Sequence, residues 1–216
     1  MKRFLSVLCM VCVCLFLLTV SISLPIYIRP FYYAHIDAFD LAHRSGYSEE
    51  QIKAAYDEVL DYLTLPGREF GTGELPHSAD GKAHFEDCKV LFDLNAAILI
   101  GSGVVLLLLF AMRKRWGRYR LGRHSAPFWA AVLSLTAPIM IGGLAALDFD
   151  RAFVIFHSIF FPGKTNWVFD WYADPIIRVL PQEFFRNCAI LIGLGLFWMA
   201  GGILIWESMK RKKEQA

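Results

Sequence analysis

The sequence predicts an all-α membrane protein: a bundle of four transmembrane helices with short amphipathic and interfacial helices on its outer side. The chain has 216 residues, of which 56% are hydrophobic and 19% are charged, whereas soluble domains carry about 25% charged residues. The apolar residues are concentrated in long segments, and a helix crosses about 30 Å of hydrocarbon with about 20 residues. The predicted spans are residues 4–24, 90–112, 126–147 and 188–206, within a single membrane domain that covers residues 1–216.

Clusters of basic residues predict how these spans are oriented. The stretch 113–124 contains Arg and Lys but no acid, Lys2 and Arg3 precede the first span, and residues 210–213 are all basic. With four spans, all three clusters fall on one side of the membrane, and Lys and Arg concentrate in cytoplasmic loops. We therefore expect both termini in the cytoplasm and two outer regions, residues 25–89 and 148–187.

The first outer region contains the pattern of an amphipathic helix. Ser48 is followed three residues later by Gln51, which is the arrangement of a capping box at a helix start. Apolar residues then recur at helical spacing up to Leu65, and Pro66 and Gly67 end the pattern. The sequence therefore predicts a helix that packs one face against the rest of the outer side.

The second outer region contains an apolar segment that is too short to cross a membrane. Residues 152–161 are almost entirely hydrophobic, and Pro162 and Gly163 follow them. This largely apolar segment of ten residues is too short to span a bilayer and is unfavourable in water, so the pattern predicts an interfacial or a re-entrant helix.

His157 lies in the middle of this apolar segment. Burial among Phe, Ile and Val residues disfavours the charged imidazolium, so we expect His157 to be neutral and able to accept a proton. The alternative is a core histidine whose hydrogen bonds are satisfied. Asn166 and Asp170 follow in the same region, where they either orient His157 or form ordinary turns, and the same choice holds for Asp174.

His84 stands at the outer end of the second span. Asp87 is three residues further on and shares a helical face with it, so its carboxylate is expected to orient the imidazole. The alternative is a helix-capping segment with solvated charges. Two imidazoles beside a bilayer indicate acid–base chemistry on a lipid.

Other kinds of site are not supported by the sequence. Cys88 and Cys188 both lie at outer ends of spans, and unpaired thiols are favoured over a bridge between them because the cysteine count of five is odd. No metal-binding spacing, nucleophile elbow, phosphate loop or dinucleotide turn is found, and nothing indicates nucleic-acid binding. We therefore expect neither a metal nor another cofactor.

With these features in order, the sequence resembles the lipoprotein intramolecular transacylase family of Gram-positive bacteria. The resemblance covers nearly the whole chain and rests on residues 59–63, 84–87, 156–157, 167, 170, 174–177 and 180–181. It implies an acyltransferase in the bacterial cell membrane, with its active site on the extracytoplasmic side. The implied substrate is a diacylated lipoprotein among membrane lipids, whose sn-2 acyl chain moves from glycerol to the α-amine of the N-terminal cysteine and leaves a lyso-form lipoprotein.

The resemblance also implies roles for the candidate residues. His157 would take a proton from the amine, and His84 would stabilise the oxyanion and protonate the glycerol alkoxide, although the two can exchange roles. Asp87 would orient His84, and Asn166, Asp170 or Arg151 would assist. A covalent route in which Cys88 first accepts the acyl chain is the alternative mechanism.

Two rival functions remain open from the residues alone. A non-enzymatic membrane scaffold or accessory protein would tolerate replacement of both histidines by Gln. A phospholipid-directed acyltransferase or lipase would exchange acyl chains on free lipid in the absence of any lipoprotein. The sequence makes no prediction of the oligomeric state.

Overall fold

The computed structural model describes residues 1–116 and 119–215, except for the side chains of residues 113–116, 137, 140, 141, 144–146, 214 and 215. Its described part is mostly helical and contains one short hairpin, in agreement with the predicted fold class. The elements, in order, are α1 (Lys2–Tyr27), α2 (Arg29–Ala38), α3 (Leu41–Ser45), α4 (Glu49–Thr64), α5 (Ala79–Trp116), β1 (Arg120–Leu121), β2 (His124–Ser125), α6 (Ala126–Leu147), α7 (Phe149–Phe160), α8 (Ile176–Val179) and α9 (Gln182–Gln215).

Three of the four predicted spans are confirmed as helices long and apolar enough to cross a membrane. They are the stretches Lys2–Tyr27, Ala79–Met112 and Gln182–Lys213. The remaining predicted span forms α6 with the expected bounds, and its described apolar stretch is the shorter Ala126–Thr136. A fourth crossing at α6 therefore stays a prediction.

The chain divides into two compact units. The first consists of residues 1–24, 95–147 and 190–216, and the second of residues 25–94 and 148–189.

In the first unit, small and apolar residues fill the spaces between the helices. One buried cluster contains Leu17, Ala131, Leu196 and Ala200. Near the hairpin, buried Glu207 accepts a hydrogen bond from the Ser125 backbone. Arg211 donates to the ring of His124 at 3.1 Å, so the hairpin and the basic C-terminal segment are in contact. Other residues of the basic clusters, namely Arg113, Lys114, Arg115 and Arg118, lie outside the described side chains.

In the second unit, α4 supplies the centre of the hydrophobic core. The predicted capping box is present: Gln51 N donates to Ser48 Oγ at 3.3 Å, and Ser48 N donates to Gln51 Oε1 at 2.9 Å. The buried face of the helix consists of Ile52, Ala55, Tyr56, Val59, Leu60 and Leu63. The ring of Tyr56 stacks on that of Tyr32 at 3.8 Å, and the Tyr32 hydroxyl donates to the carbonyl oxygen of Val179 at 2.7 Å. The predicted amphipathic helix is thus confirmed.

Asp174 fixes the start of α5. Its buried carboxylate accepts hydrogen bonds from Ser78 N at 2.7 Å and from Ser78 Oγ at 2.8 Å. Ser78 Oγ in turn accepts from Gly81 N at 2.9 Å, which is the geometry of a helix N-cap. This network determines where the helix begins, and so it sets the position of His84, which lies six residues after the cap.

We predict that Gly81→Ala destabilises the protein. A Cβ atom at Gly81 would lie 2.2 Å from Asp174 Oδ1, so the cap has to move. Overpacking of this kind costs about 1–3 kcal/mol. The measurement is the thermal unfolding midpoint in detergent.

The matched control is Gly101→Ala in the same helix, where the added Cβ meets no described atom within 4 Å beyond its chain neighbours and the adjacent backbone of its own helix. Alanine is favoured over glycine in a helix by about 1 kcal/mol, so this variant should unfold at the wild-type temperature or above. Equal midpoints for the two variants would contradict the capping role of Asp174.

Candidate active site

His157 is buried on the inner side of α7. The helix begins three residues before the predicted segment because Asp148 caps it, accepting a hydrogen bond from Arg151 N at 2.9 Å. His157 is 6% exposed, and its Nδ1 lies 2.8 Å from the carbonyl oxygen of Phe153. A carbonyl oxygen only accepts, so Nδ1 carries the proton. In the neutral ring, Nε2 therefore holds the lone pair that can act as a base.

Aromatic rings keep water away from this imidazole. Trp167 stacks on it with ring centroids 4.6 Å apart, and Phe153 lies at 4.3 Å. Burial lowers the pKa of His157 below its ordinary value, while the hydrogen bond to the Phe153 carbonyl acts in the opposite direction. The expectation that His157 is neutral at pH 7 agrees with this direction.

His84 lies beside His157. The centroids of the two imidazole rings are 5.8 Å apart, and His84 is also 6% exposed. Its Nε2 lies 3.4 Å from Cys88 Sγ. Its Nδ1 is buried and has no hydrogen-bond partner in the part of the chain that the structure describes. The two histidines that the sequence singled out are therefore neighbours, and one of them presents an unsatisfied polar atom.

Asp87 does not orient His84 by a hydrogen bond, so that prediction is wrong. Its carboxylate is instead bound by the Lys164 ammonium and accepts from Asn166 Nδ2 at 3.0 Å. The ammonium group of Lys164 and the amide of Asn166 bind the carboxylate more strongly than a neutral imidazole would. Asp87 thus ties α5 to the segment that follows α7. Lys164 was missed because nothing in the local sequence pairs it with Asp87.

Asn166 is left with one unsatisfied atom. A carboxylate only accepts, so the donor that faces Asp87 has to be Nδ2, and Oδ1 is the other end of the amide. Oδ1 is buried without a hydrogen-bond partner among the described residues. Trp167, the next residue, stacks on His157, and Asp87, which accepts from this amide, lies three residues after His84.

Two of the other candidates, Asp170 and Asp174, have structural roles. Asp170 Oδ1 accepts from the backbone of Tyr172 at 2.8 Å and of Ala173 at 2.7 Å, so it forms a turn and does not orient His157. Asp174 caps α5, as described above. Arg151 is exposed in the first turn of α7, and six helical residues place it on a different face from His157.

A sequence model of the family described as lipoprotein intramolecular transacylase Lit matches residues 7–185, a range that contains both histidines. The chain belongs to this family. The protein is therefore a membrane-integral acyltransferase that acts on lipoproteins by intramolecular acyl transfer, which excludes the non-enzymatic alternative.

Solved structures agree with this assignment at the level of the fold. The membrane-integral lipoprotein intramolecular transacylase Lit from Bacillus cereus is 22% identical and has a TM-score of 0.90, with 100% of this chain and 99% of that chain covered. Two variants of the same Bacillus cereus protein, in which a histidine is replaced by arginine or alanine, match with TM-scores of 0.82; 94% and 96% of their chains are covered, and 100% of this one. No curated protein sequence matches the chain.

The cysteines of this family member are free thiols in the structure. Cys88 and Cys188 are both unpaired, as the odd number of cysteines favoured. Cys88 nevertheless contacts His84, so it remains the residue on which a covalent route would depend.

We predict that His157 remains neutral as the pH is lowered through about 6.5, the ordinary value of an imidazole. Its folded-state pKa lies below that value, so the unfolded chain takes up the proton first. The contribution of His157 to stability is then present above about pH 6.5 and declines as the pH falls towards the folded pKa. The measurement is a titration of ¹⁵N-histidine NMR signals in detergent micelles, assigned with a His157→Gln variant.

The same spectra report the tautomer. We expect the proton on Nδ1 and a bare Nε2 at pH 7, and a histidine in an unstructured peptide provides the reference titration. A His157 signal that titrates at or above the peptide's midpoint, or a proton on Nε2, would refute the base assignment.

Proposed function

We propose that the protein transfers the sn-2 acyl chain of an S-diacylglyceryl group to the α-amine of the N-terminal cysteine of the same lipoprotein, at the site between His84 and His157. The main support for this proposal is the pair of buried imidazoles, whose ring centroids are 5.8 Å apart. One of them presents a proton acceptor, and the other has an unsatisfied ring nitrogen. Amine attack on an ester requires an acceptor for the amine proton and a donor for the oxyanion.

His157 is the base in this proposal. An α-amino group has a pKa of about 7.7–8.0, and it has to lose a proton as the new C–N bond forms. Nε2 of His157 takes that proton because Nδ1 is committed to Phe153. The imidazolium then returns the proton to the glycerol oxygen as the C–O bond breaks, so the enzyme ends in its initial protonation state.

His84 stabilises the oxyanion in this proposal. In this proposal the thiol of Cys88 donates to Nε2, which lies 3.4 Å from its sulfur. The proton of the neutral ring is then on Nδ1, the buried atom that has no partner among the described residues. That N–H then donates to the oxyanion of the tetrahedral intermediate. We do not assign protonation of the alkoxide to His84, because a neutral imidazole that gave up its proton would become an anion. The alkoxide receives the proton held by His157 instead.

Asn166 orients the amine in this proposal. A neutral primary amine has two N–H groups and one lone pair. If one N–H donates to His157 Nε2 and the other to Asn166 Oδ1, the lone pair is directed at the ester carbon. Oδ1 is suited to this role because it is a buried acceptor to which no group among the described residues donates. Asp87, which is bound by Lys164, holds the amide in place. Because the amine is already held in this geometry, less translational and rotational entropy is lost when the transition state forms.

The exposed side of α7 supports access from the membrane. His157 is the buried residue of this helix, whereas apolar residues on its other faces are exposed, namely Val154, Ile155, Phe156, Ile159 and Phe160. A helix with an exposed apolar face lies at a membrane interface, and exposed Trp171 and Tyr172 are residue types of the interfacial belt. We propose that the lipid substrate enters laterally from the outer leaflet.

The proposed topology follows from the basic clusters. Arg3 and Arg120 line the same groove, and Arg211 contacts His124, so residues from both terminal segments lie next to the hairpin. Together with the excess of Lys and Arg in cytoplasmic loops, these contacts support cytoplasmic termini, a fourth span at α6 and an extracytoplasmic active site.

We predict that His157→Gln and His84→Gln each lower N-acylation at least about 100-fold, the lower end of the usual contribution of general acid–base catalysis. A reporter lipoprotein is isolated from a host whose lipoproteins otherwise keep a free amine. Tandem mass spectrometry of its N-terminal lipopeptide locates the acyl chain, since intramolecular transfer leaves the total mass unchanged.

His43→Gln is the matched control, because the side chain of His43 is 86% exposed. It should give the wild-type product. If both site variants transfer the chain at the wild-type level, the histidine mechanism is wrong. If the wild-type protein leaves the chain on glycerol, the assigned reaction is wrong.

We further predict that Asn166→Ala slows transfer about 5- to 160-fold, as expected when one hydrogen bond worth about 1–3 kcal/mol is lost. Lys164 still holds Asp87 in this variant, so the thermal midpoint should change little. The measurement is the initial rate with a synthetic diacylglyceryl-cysteine peptide.

Asp170→Asn is the control, since an amide oxygen can still accept the two turn hydrogen bonds of Asp170. It should react at the wild-type rate. An Asn166→Ala variant as fast as this control would remove Asn166 from the mechanism.

A further inference from the structure

The first unit contains a groove with a basic rim that the acyl transfer reaction does not use. Its volume is about 540 Å³. Two arginines contribute to its wall, Arg3 from the first turn of α1 and Arg120 from β1, and no acidic residue lines it in the part of the chain that the structure describes. The groove therefore concentrates positive charge that its own walls do not neutralise.

The guanidinium of Arg120 has more N–H donors than its hydrogen bond to Arg123 uses. One of its terminal nitrogens donates to the carbonyl oxygen of Arg123 at 2.7 Å, which fixes the side chain, and a guanidinium has five N–H groups in all. A fixed guanidinium with remaining donors, together with a second one across the groove, suits the oxygens of a phosphate.

The rest of the groove is apolar and suits a hydrocarbon chain. Trp129 is held by a hydrogen bond from its Nε1 to the carbonyl oxygen of Leu121 at 3.0 Å, so the ring forms a fixed wall. Met10 of α1 and Leu133 of α6 line the groove further along these helices. Tryptophan is enriched where hydrocarbon meets headgroups.

We propose that this groove binds one anionic phospholipid, with its phosphate between Arg3 and Arg120 and the start of an acyl chain against Trp129, Met10 and Leu133. A free phosphate would match the arginines but leave the apolar wall unused, so the observations favour a lipid. The bound lipid would tie the first turn of α1 to the hairpin that precedes α6. This proposal does not depend on the proposed acyl transfer chemistry.

Native mass spectrometry of the purified full-length protein tests the proposal. Phosphatidylglycerol and phosphatidylcholine of the same chain length are added in equal amounts. We expect one phosphatidylglycerol to remain bound after detergent removal, with at least tenfold less phosphatidylcholine. Equal retention of the two lipids would overturn the proposal without the use of any variant.

Variants and a competitor locate the site. In the double variant Arg3→Gln, Arg120→Gln, retained phosphatidylglycerol should fall at least tenfold. The control Lys210→Gln removes a basic residue of the same unit that lies over Trp206 and not in the groove, and it should retain the lipid. Unchanged retention in the double variant would overturn the location.

Inorganic phosphate separates a lipid site from a phosphate site. It should fail to displace the lipid at a hundredfold excess, because it cannot occupy the apolar wall. Full displacement would show a phosphate site and overturn the choice of a lipid. Wild-type and variant proteins are compared by circular dichroism, so that a loss of fold is not read as a loss of binding.

Discussion

The hydrogen bond between His157 Nδ1 and the carbonyl oxygen of Phe153, one helical turn earlier, determines the chemistry of the site. It commits one ring nitrogen as a donor and leaves the other as an acceptor, and the surrounding aromatic rings keep the imidazole uncharged. The imidazole of His84 lies 5.8 Å from that of His157, ring centroid to ring centroid, and Asn166 belongs to the segment that follows α7.

Two carboxylates hold this arrangement together, and neither acts on a histidine directly. Asp174 fixes the first residue of α5 through Ser78, and Asp87 binds Lys164 and Asn166. Each joins α5 to a segment far away in sequence, so each restrains α5 relative to the elements that carry His157 and Trp167. A buried or half-buried carboxylate with charged and amide donors is well suited to such a role, because its hydrogen bonds are strong and directional.

The local features were predictable from the sequence, and the long-range contacts were not. Three of the four predicted spans, the capping box at Ser48 and the lowered pKa of His157 follow from composition and spacing within a few residues. The same reasoning assigned Asp87 to His84, its neighbour on the helix, because a partner 77 residues away leaves no local signal. The capping of α5 by Asp174, 96 residues from Ser78, was not predicted for the same reason. The turn formed by Asp170 was one of the two interpretations that the sequence allowed.

The contact between His84 Nε2 and Cys88 Sγ leaves one competing chemistry, in which Cys88 carries the acyl chain. The central claim is that the chain passes directly from ester to amine between two imidazoles. The most direct test is the single-turnover transfer rate of a Cys88→Ala variant with a diacylglyceryl-cysteine peptide. Direct transfer predicts a rate within about tenfold of wild type, since only a weak hydrogen bond of about 1 kcal/mol is lost. A complete loss of transfer in a folded Cys88→Ala protein would contradict the account and establish the thiol as the acyl carrier.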